Sequence, residues 1–185
     1  MISIIIEGRG GQGAQTAGNV LASAFFAEGL EVQSFATYGG ARRGTPVSST
    51  IRIDDRPIRV RSNIDKADAI LCFDASLLEA RLYSSARPDT LVLVNSARPS
   101  ADFKSAFPGY RVLAIDAIAV ARRFGLGRIV NSVLLGALAR ALEAPPLEVL
   151  ERAILDETGS LQSANRAACA EGYRSVDLEL RAPPS

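Results

Sequence analysis

The stretch Gly8-Arg9-Gly10-Gly11-Gln12-Gly13 decides how this chain folds. It follows a short apolar run, residues 2–6, which is typical of a buried strand in a parallel sheet. A helical pattern over about residues 14–28 comes directly after it. Strand, glycine-rich turn and helix in this order place backbone N–H groups and a helix N-terminus around an anion. The stretch therefore predicts either an anion or cofactor site or a purely structural tight turn.

The glycines at positions 8, 10 and 13 match the spacing G-x-G-x-x-G. Gly8 and Gly10 would permit a tight turn and close backbone approach to a ligand, and Gly13 would let the helix pack closely on the strand. Dinucleotide-binding folds also carry an acidic residue at the end of the second strand, where it binds the ribose hydroxyls. The second strand here, residues 31–37, ends without a carboxylate. The sequence therefore does not support NAD binding.

Composition narrows the possible functions. The 185 residues are 48% apolar and 22% charged, which predicts one domain over residues 1–181 and a disordered tail over residues 182–185. The net charge of +1 does not favour nucleic acid or a membrane, and the lack of a leader or long apolar run predicts a cytoplasmic protein. The chain has no histidine, which excludes a histidine base. Cys72 and Cys169 are expected to be buried thiols, and no metal site is predicted.

A second irregular loop, residues 38–46, carries Arg42 and Arg43 among three glycines and a proline. Parallel sheets place ligand-binding loops at the carboxyl ends of their strands, so this loop and residues 8–13 are expected at one edge. We interpret the two arginines either as anion-binding groups or as solvated side chains of a surface turn.

Residues 47–53 and 57–61 alternate between apolar and polar side chains and are joined by Asp54-Asp55-Arg56. This period of two predicts a β-hairpin. Arg52, Arg59 and Arg61 would share one face of it, which is either a charged, solvated surface or one that meets an anion or a partner.

Further strands are predicted at residues 69–73, 90–95 and 111–116, with helices over residues 75–83 and 117–124 that Asp74 and Asp116 would cap. Asn95 and Ser96 lie at the carboxyl end of the strand over residues 90–95 and are expected to face the crevice beside the glycine loop. The remainder predicts helices over residues 131–142, 145–156 and 161–174. The fold class expected is α/β: a Rossmann-like open, mostly parallel sheet with flanking helices, a β-hairpin insertion and a helical C-terminal part.

Five segments together resemble a known family. They are GRGGQG (8–13), RGTPV (43–47), IRIDDRPI (51–58), NSVLLGA (131–137) and NRAA (165–168). Over about residues 1–173 the chain resembles the gamma subunit, or gamma domain, of the 2-oxoacid:ferredoxin oxidoreductases. Those enzymes oxidatively decarboxylate pyruvate and related 2-oxoacids to acyl-CoA.

The resemblance implies a division of labour within a complex. An alpha subunit helps to bind the 2-oxoacid, a beta subunit carries thiamine diphosphate with Mg²⁺, and a ferredoxin-like delta subunit or domain carries [4Fe-4S] clusters. Electrons pass to ferredoxin, or in relatives to NAD through a flavin (FAD) subunit. This chain would be a non-catalytic subunit that helps to assemble the complex and to bind or gate CoA.

The chain departs from the family in the second loop. Where the family commonly has Gly-Pro-Glu before the arginines, this chain has Gly39-Gly40-Ala41. The lost proline loosens the loop, and the lost carboxylate removes a partner for the arginines. A role of that glutamate therefore does not transfer to this chain.

We expect CoA contacts from both loops because arginine forks and backbone N–H groups suit phosphate. The candidate residues are Arg9, Gly10, Gly11, Gln12, Gly13, Arg42, Arg43 and Asn95. The alternative role of these loops is packing against the alpha and beta subunits. The alternative for the whole chain is a freestanding nucleotide-binding or regulatory Rossmann-like domain.

Overall fold

Six strands form the central sheet in a computed structural model that describes residues 1–38, 44–157 and 159–181, with the backbone alone at positions 38, 160 and 177–181. The strands are β1 (Ile2–Arg9), β2 (Glu31–Tyr38), β3 (Pro46–Asp54), β4 (Ala69–Cys72), β5 (Leu91–Asn95) and β6 (Arg111–Ile115). Their order across the sheet is β2-β3-β1-β4-β5-β6. Arg42, Arg43 and the expected tail over residues 182–185 lie outside the described residues.

Strand direction confirms a mostly parallel α/β sheet. The pairs β1–β4, β4–β5 and β5–β6 are parallel, and β3 runs antiparallel to both β1 and β2. β2 therefore runs in the same direction as β1. Arg9 pairs with Pro46, and Tyr38 pairs with Val47. The carboxyl ends of β1 and β2 thus meet the start of β3 at one edge of the sheet.

The predicted hairpin between residues 47–53 and 57–61 is wrong in its second arm. β3 forms its hairpin with β2, and residues 57–61 are not a strand. The alternation of residues 57–61 therefore occurs in a segment that pairs with no strand among the described residues. A period of two reports an extended backbone, and it does not identify a pairing partner.

The expected exposure of Arg52 on one face with Arg59 and Arg61 is also wrong. The structure buries Arg52 to 5% exposure, whereas Arg59 and Arg61 are exposed. Arg52 donates hydrogen bonds to the backbone oxygen of Ser62 at 2.6 Å and to Gln33 Oε1 at 3.2 Å. The segment after β3 therefore covers this polar face and supplies an acceptor for the buried guanidinium.

Seven α-helices flank the sheet in the described part of the chain. They are α1 (Ala14–Ala27), α2 (Leu78–Ser85), α3 (Ser100–Ala106), α4 (Ala117–Arg123), α5 (Asn131–Leu142), α6 (Leu147–Glu157) and α7 (Gln162–Arg181). α2 and α3 cover one apolar face, and α1 with α4 to α7 covers the other. This arrangement confirms the flanking helices and the helical C-terminal part. The domain boundary at residue 181 stays a prediction.

Close contact joins α5 to α7 within the larger apolar cluster. A Cβ atom at Gly136 would lie 2.0 Å from the backbone oxygen of Cys169, and one at Gly172 would lie 2.0 Å from that of Val133. Each glycine therefore lets the other helix approach to backbone distance. Within the described residues, no helix has both the length and the apolarity needed to cross a bilayer.

A charged pair fixes β1 to α2. Glu7 is 4% exposed, and its carboxylate accepts hydrogen bonds from Arg81 and from the hydroxyl of Ser48. Arg81 also donates to Ser48 Oγ at 2.9 Å. The buried carboxylate thus has both a countercharge and hydrogen-bond donors, as burial of a charge requires.

Candidate functional site

The glycine loop and the start of β3 are joined by their backbones. Gly10 N–H donates to the oxygen of Thr45 at 2.9 Å, and Gly44 N–H donates to the oxygen of Gly10 at 3.3 Å. Within the loop, Gln12 N–H donates to the oxygen of Arg9 at 2.9 Å. The glycine loop therefore lies beside the residues at which the second loop joins β3, at the carboxyl edge. This confirms the expected edge for the glycine loop and for the described ends of the second loop.

Gly13 begins α1 in a left-handed conformation, with φ of +88°. Because glycine has no side chain, it cannot cap the N–H groups of the first turn. That first turn, which lies within the described residues, also contains no acidic side chain. Neither the cap residue nor the first turn of this 14-residue helix therefore supplies a carboxylate at the end of the glycine loop, and a helix N-terminus of this kind suits a ligand anion.

The glycines of the motif have different neighbours. A Cβ atom at Gly8 would lie 3.1 Å from Ala14 Cβ and 3.3 Å from Phe73 Cβ, so Gly8 allows close packing beside α1. Gly11 has φ of +93° and open space where a Cβ would stand. Gly13 faces Asn131, whose Nδ2 donates to the Gly13 oxygen at 2.9 Å. Close approach therefore occurs at Gly8 and Gly13, and Gly11 leaves the backbone open to a ligand.

The Arg9 side chain turns back onto the fold. Its Nε donates to Asp74 Oδ2 at 2.9 Å, Nη2 to Ser76 Oγ at 2.8 Å and Nη1 to the Gly44 oxygen at 3.1 Å. Gln12 Oε1 accepts a hydrogen bond from Arg9 N–H at 2.7 Å. The side chains of these two candidate residues thus hold the loop by hydrogen bonds within the fold. A direct CoA contact from either one stays a prediction.

Asp74 follows β4 and caps the 3-10 turn Ala75–Leu77, as the sequence predicts. Its Oδ1 accepts hydrogen bonds from Ser76 N–H at 3.0 Å and Ser76 Oγ at 2.7 Å. Burial raises the pKa of Asp74, but the hydrogen bonds from Ser76 and from Arg9 outweigh it and hold the pKa below its ordinary value. Asp74 is therefore ionised at neutral pH.

Asn95 lies at the end of β5, as predicted, and both ends of its amide bind the backbone. Nδ2 donates to the Phe73 oxygen at 3.2 Å, and Oδ1 accepts from Ala117 N–H at 3.1 Å. Ser96 Oγ accepts from Arg98 N–H at 3.0 Å. Asn95 thus links the ends of β4 and β5 to the start of α4, and its contact with a ligand stays a prediction.

Sequence reasoning misses two residues at the glycine loop. It identifies Asn131 only within a family segment, and it gives Asp74 only a capping role. Asn131 lies 118 positions from Gly13, and Asp74 lies 65 positions from Arg9. The helix-opening position of Asn131 and the strand-ending position of Asp74 are the available signals, because both place a polar side chain at the carboxyl edge.

The two cysteines are inert by their surroundings. Burial raises the pKa of Cys72 to about 12 and that of Cys169 to about 12. Both are free thiols. Since the thiolate is the reactive form, neither side chain is suited to nucleophilic or metal chemistry.

A groove of about 570 Å³ lies apart from the glycine loop, over the sheet face opposite α1. Hydroxyl groups of Thr37, Ser48, Thr50 and Ser84 line it together with Arg61 and Arg81. Ser48 and Arg81 are already engaged with Glu7, and Thr50 Oγ1 donates to the Phe35 oxygen at 3.3 Å. Three of the polar side chains that line the groove are thus already engaged within the fold.

Comparison with known proteins gives the same family along nearly the whole chain. The model of the family "Pyruvate ferredoxin/flavodoxin oxidoreductase" matches residues 3–175. The pyruvate/ketoisovalerate oxidoreductases common subunit gamma of Pyrococcus furiosus is 36% identical, with 96% of this chain and 98% of the relative covered. Pyruvate synthase subunit PorC of Methanocaldococcus jannaschii is 36% identical, over 95% of this chain and 97% of the relative.

Solved structures agree in fold. The pyruvate oxidoreductase subunit PORC of Thermotoga maritima has a TM-score of 0.81 at 30% identity, with 94% of this chain and 95% of that chain covered. The 2-oxoglutarate:ferredoxin oxidoreductase of Magnetococcus marinus, solved with 2-oxoglutarate, coenzyme A and succinyl-CoA bound, has a TM-score of 0.78 at 21% identity. This chain covers 32% of that longer chain, and the likeness there is one of fold. The glycine loop, the sheet around it and these matches together establish that the chain belongs to the pyruvate ferredoxin/flavodoxin oxidoreductase family.

Proposed function

We propose that this chain is the gamma subunit of a 2-oxoacid:ferredoxin oxidoreductase complex and that its glycine loop contributes to binding CoA. The observation that carries the CoA contact is the N-terminus of α1, which begins at Gly13 without a side-chain cap and without an acidic residue in its first turn. Such a helix end stabilises the phosphate groups of a ligand.

The neighbouring loop supports the same assignment. Gly44 and Thr45 hydrogen-bond to the oxygen and N–H of Gly10, so the chain on either side of residues 39–43 ends next to the glycine loop. Arg42 and Arg43 belong to that connection. Arginine side chains in a connection that starts and ends at this edge of the sheet would give bidentate donors for the phosphates at the adenosine end of CoA.

The remaining cofactors of the reaction are assigned to partner subunits. Thiamine diphosphate with Mg²⁺ would lie in the beta subunit and the [4Fe-4S] clusters in the ferredoxin-like subunit. Among the described residues, no group of three or more metal-ligating His, Cys, Asp or Glu side chains is present. The electrons would leave the complex through ferredoxin, and the alpha subunit would share in binding the 2-oxoacid.

Charge reversal at Arg43 tests the CoA contact. The Arg43→Glu variant of the complete complex is compared with Arg56→Glu, whose side chain is exposed after the end of β3 at the opposite edge of the sheet. The rate of 2-oxoacid oxidation is measured from the reduction of ferredoxin at several CoA concentrations. We expect the KM for CoA to rise by about tenfold or more in Arg43→Glu, because the attraction between the arginine and a CoA phosphate is replaced by repulsion between a carboxylate and that phosphate.

Assembly separates the two roles of the loop. Co-purification of the partner subunits with each variant shows whether the complex forms. A complex that assembles with an unchanged KM for CoA would overturn the CoA contact. A variant that no longer retains its partners would assign the loop to subunit packing. A wild-type chain that retains no partner subunits in its native host would overturn the gamma-subunit assignment itself.

A further inference from the structure

Asp74 joins more of the candidate site than capping requires. Oδ1 alone serves the cap of Ala75–Leu77, through Ser76 N–H and Ser76 Oγ. Oδ2 is directed to the glycine loop, where it accepts from Arg9 Nε at 2.9 Å and lies 3.5 Å from Gln12 Nε2. One carboxylate therefore fixes the turn after β4 and the loop after β1.

Arg9 extends this connection to a third segment. Its guanidinium donates to Asp74, to Ser76 Oγ and to the backbone oxygen of Gly44. A planar guanidinium that is held at all three nitrogens has one orientation. The position of Gly44, which follows directly after residues 39–43, thus depends on the orientation that Asp74 imposes on Arg9.

The same contacts set the shape of the glycine loop. Gln12 Oε1 accepts from Arg9 N–H, and Gly10 exchanges backbone hydrogen bonds with Gly44 and Thr45. Arg9 and Gln12 bracket Gly10 and Gly11, so a fixed Arg9 and Gln12 fix the backbone between them. Gly11 has a positive φ, and no atom lies within 4 Å of the place that a Cβ would take. Packing at that place therefore does not hold Gly11 in position.

We propose that Asp74 is a positioning residue of the glycine loop: its carboxylate orients Arg9 and Gln12 and thereby holds residues 10–13 and 44–45 in the arrangement that receives the ligand. This inference rests on the proposed function for the identity of the ligand. The role of Asp74 in ordering the loop does not depend on which ligand binds.

Partial exposure predicts which property responds to a change at Asp74. The side chains of Arg9 and Asp74 are 36% and 25% exposed, and ion pairs of this kind contribute little to global stability. Loss of the charge should therefore loosen the loop and leave the fold in place. Misplacement of binding groups by a fraction of an ångström is enough to weaken a ligand contact.

The test compares Asp74→Asn with Asp102→Asn in the assembled complex. Asp102 forms an exposed ion pair with Arg98 at 3.2 Å on α3, which makes it a matched control for the loss of a surface carboxylate. Hydrogen–deuterium exchange is measured for peptides that contain residues 9–13 and 44–50. We expect faster exchange in these peptides for Asp74→Asn, and unchanged exchange for Asp102→Asn.

Kinetics give the second readout. The KM for CoA should rise by about tenfold in Asp74→Asn while kcat at saturating CoA falls by less than about threefold, the pattern of a lost binding geometry. Arg9→Gln should have the same effect, and the Asp74→Asn/Arg9→Gln double variant should be no worse than either one, because both act through one contact.

The outcomes separate the inference from the function on which it rests. Unchanged exchange of the glycine loop in Asp74→Asn overturns the positioning role, whatever the kinetics. Faster exchange with an unchanged KM for CoA supports the positioning role and overturns the CoA contact. If Asp74→Asn does not fold, Arg9→Gln carries the same comparison, since it removes the contact and leaves the Asp74 cap of Ala75–Leu77 intact.

Discussion

Gly13 serves two structural purposes at one position. Its left-handed backbone, with φ of +88°, turns the chain from the loop into α1. The space beside it is occupied by Asn131, whose Nδ2 would lie 2.4 Å from a Cβ atom at this position. Asn131 also binds the Gly13 oxygen. Any side chain here would therefore strain the backbone and displace the Asn131 amide from its hydrogen bond with the Gly13 oxygen.

Replacement of Gly13 by alanine tests this double requirement. Gly29 is the matched control, because it has φ of +80° and no atom within 4 Å of the place that a Cβ would take. We expect Gly29→Ala to lower the free energy of unfolding by roughly 1 kcal/mol through backbone strain, and Gly13→Ala to lower it by about 2 kcal/mol or more. Urea unfolding measures both. Equal losses would contradict the role assigned to Asn131.

Arg52 shows at the same scale why exposure could not be predicted from alternation. The period of two places Arg52 on the face opposite Ile51 and Ile53, and the structure agrees. Which face meets solvent depends on residues 57–66, whose path is set by tertiary contacts such as the Ser62 oxygen. The alternation therefore predicts on which face of the strand a side chain lies, but it does not predict whether another segment buries that face.

At the scale of elements, the contact between α5 and α7 is set by two glycines. Gly136 and Gly172 each face a backbone carbonyl of the other helix, so the two positions are reciprocal. Alanine is a better helix former than glycine by about 1 kcal/mol, which would favour substitution in an isolated helix. In this pair the steric cost is larger, because a backbone carbonyl cannot move aside as a flexible side chain can.

Gly136→Ala and Gly172→Ala are therefore expected to destabilise the protein by about 1–3 kcal/mol each, despite the gain in helix propensity. Gly109→Ala is the control, since nothing lies within 4 Å of a Cβ at that turn. Thermal unfolding followed by circular dichroism measures the three variants. A rise in melting temperature for either helical substitution would show that the helices separate without cost and would contradict the close contact.

Much of the element order was predictable because buried strands and helices have strong periodic signals. β4, β5 and β6 lie within a residue or two of the apolar runs that predict them, and Asp74 and Asp116 cap the segments expected. The insertion of β3 between β1 and β2 was not predictable, because adjacency in a sheet is fixed by long-range pairing. The contacts of Asp74 and Asn131 with the glycine loop were missed for the same reason.

At the scale of the whole molecule, three carboxylates predict how stability responds to acid. Hydrogen bonds with Asp55 and with the amino terminus lower the pKa of Asp54 to about 2. Hydrogen bonds from Arg174 and Arg123 lower the pKa of Glu171. Burial raises the pKa of Asp74, but its hydrogen bonds with Ser76 and Arg9 have the larger effect, so the pKa is lowered overall. The folded state therefore binds these protons less readily than the unfolded state.

The sign of the effect follows. Stabilisation from these groups is complete above the ordinary values of 3.8 for aspartate and 4.5 for glutamate, and it is lost as the pH falls below them. We expect the urea midpoint to fall from pH 5 to pH 3, and to fall less steeply in the Asp54→Asn/Asp74→Asn/Glu171→Gln variant. Identical slopes in the variant and the wild type would show that other groups govern acid unfolding.

The reversed direction of β3 has a consequence for how the second loop can change in evolution or in the laboratory. β2 and β3 are paired over eight residues each, from Glu31 with Asp54 to Tyr38 with Val47, so the strands before and after residues 39–43 form one paired ribbon. A graft that lengthens this connection leaves the strand register untouched, and each doubling of its length costs roughly 0.6 kcal/mol of closure entropy. The pairing of β2 with β3 thus sets no fixed length for the connection, and its length can be changed separately from the sheet.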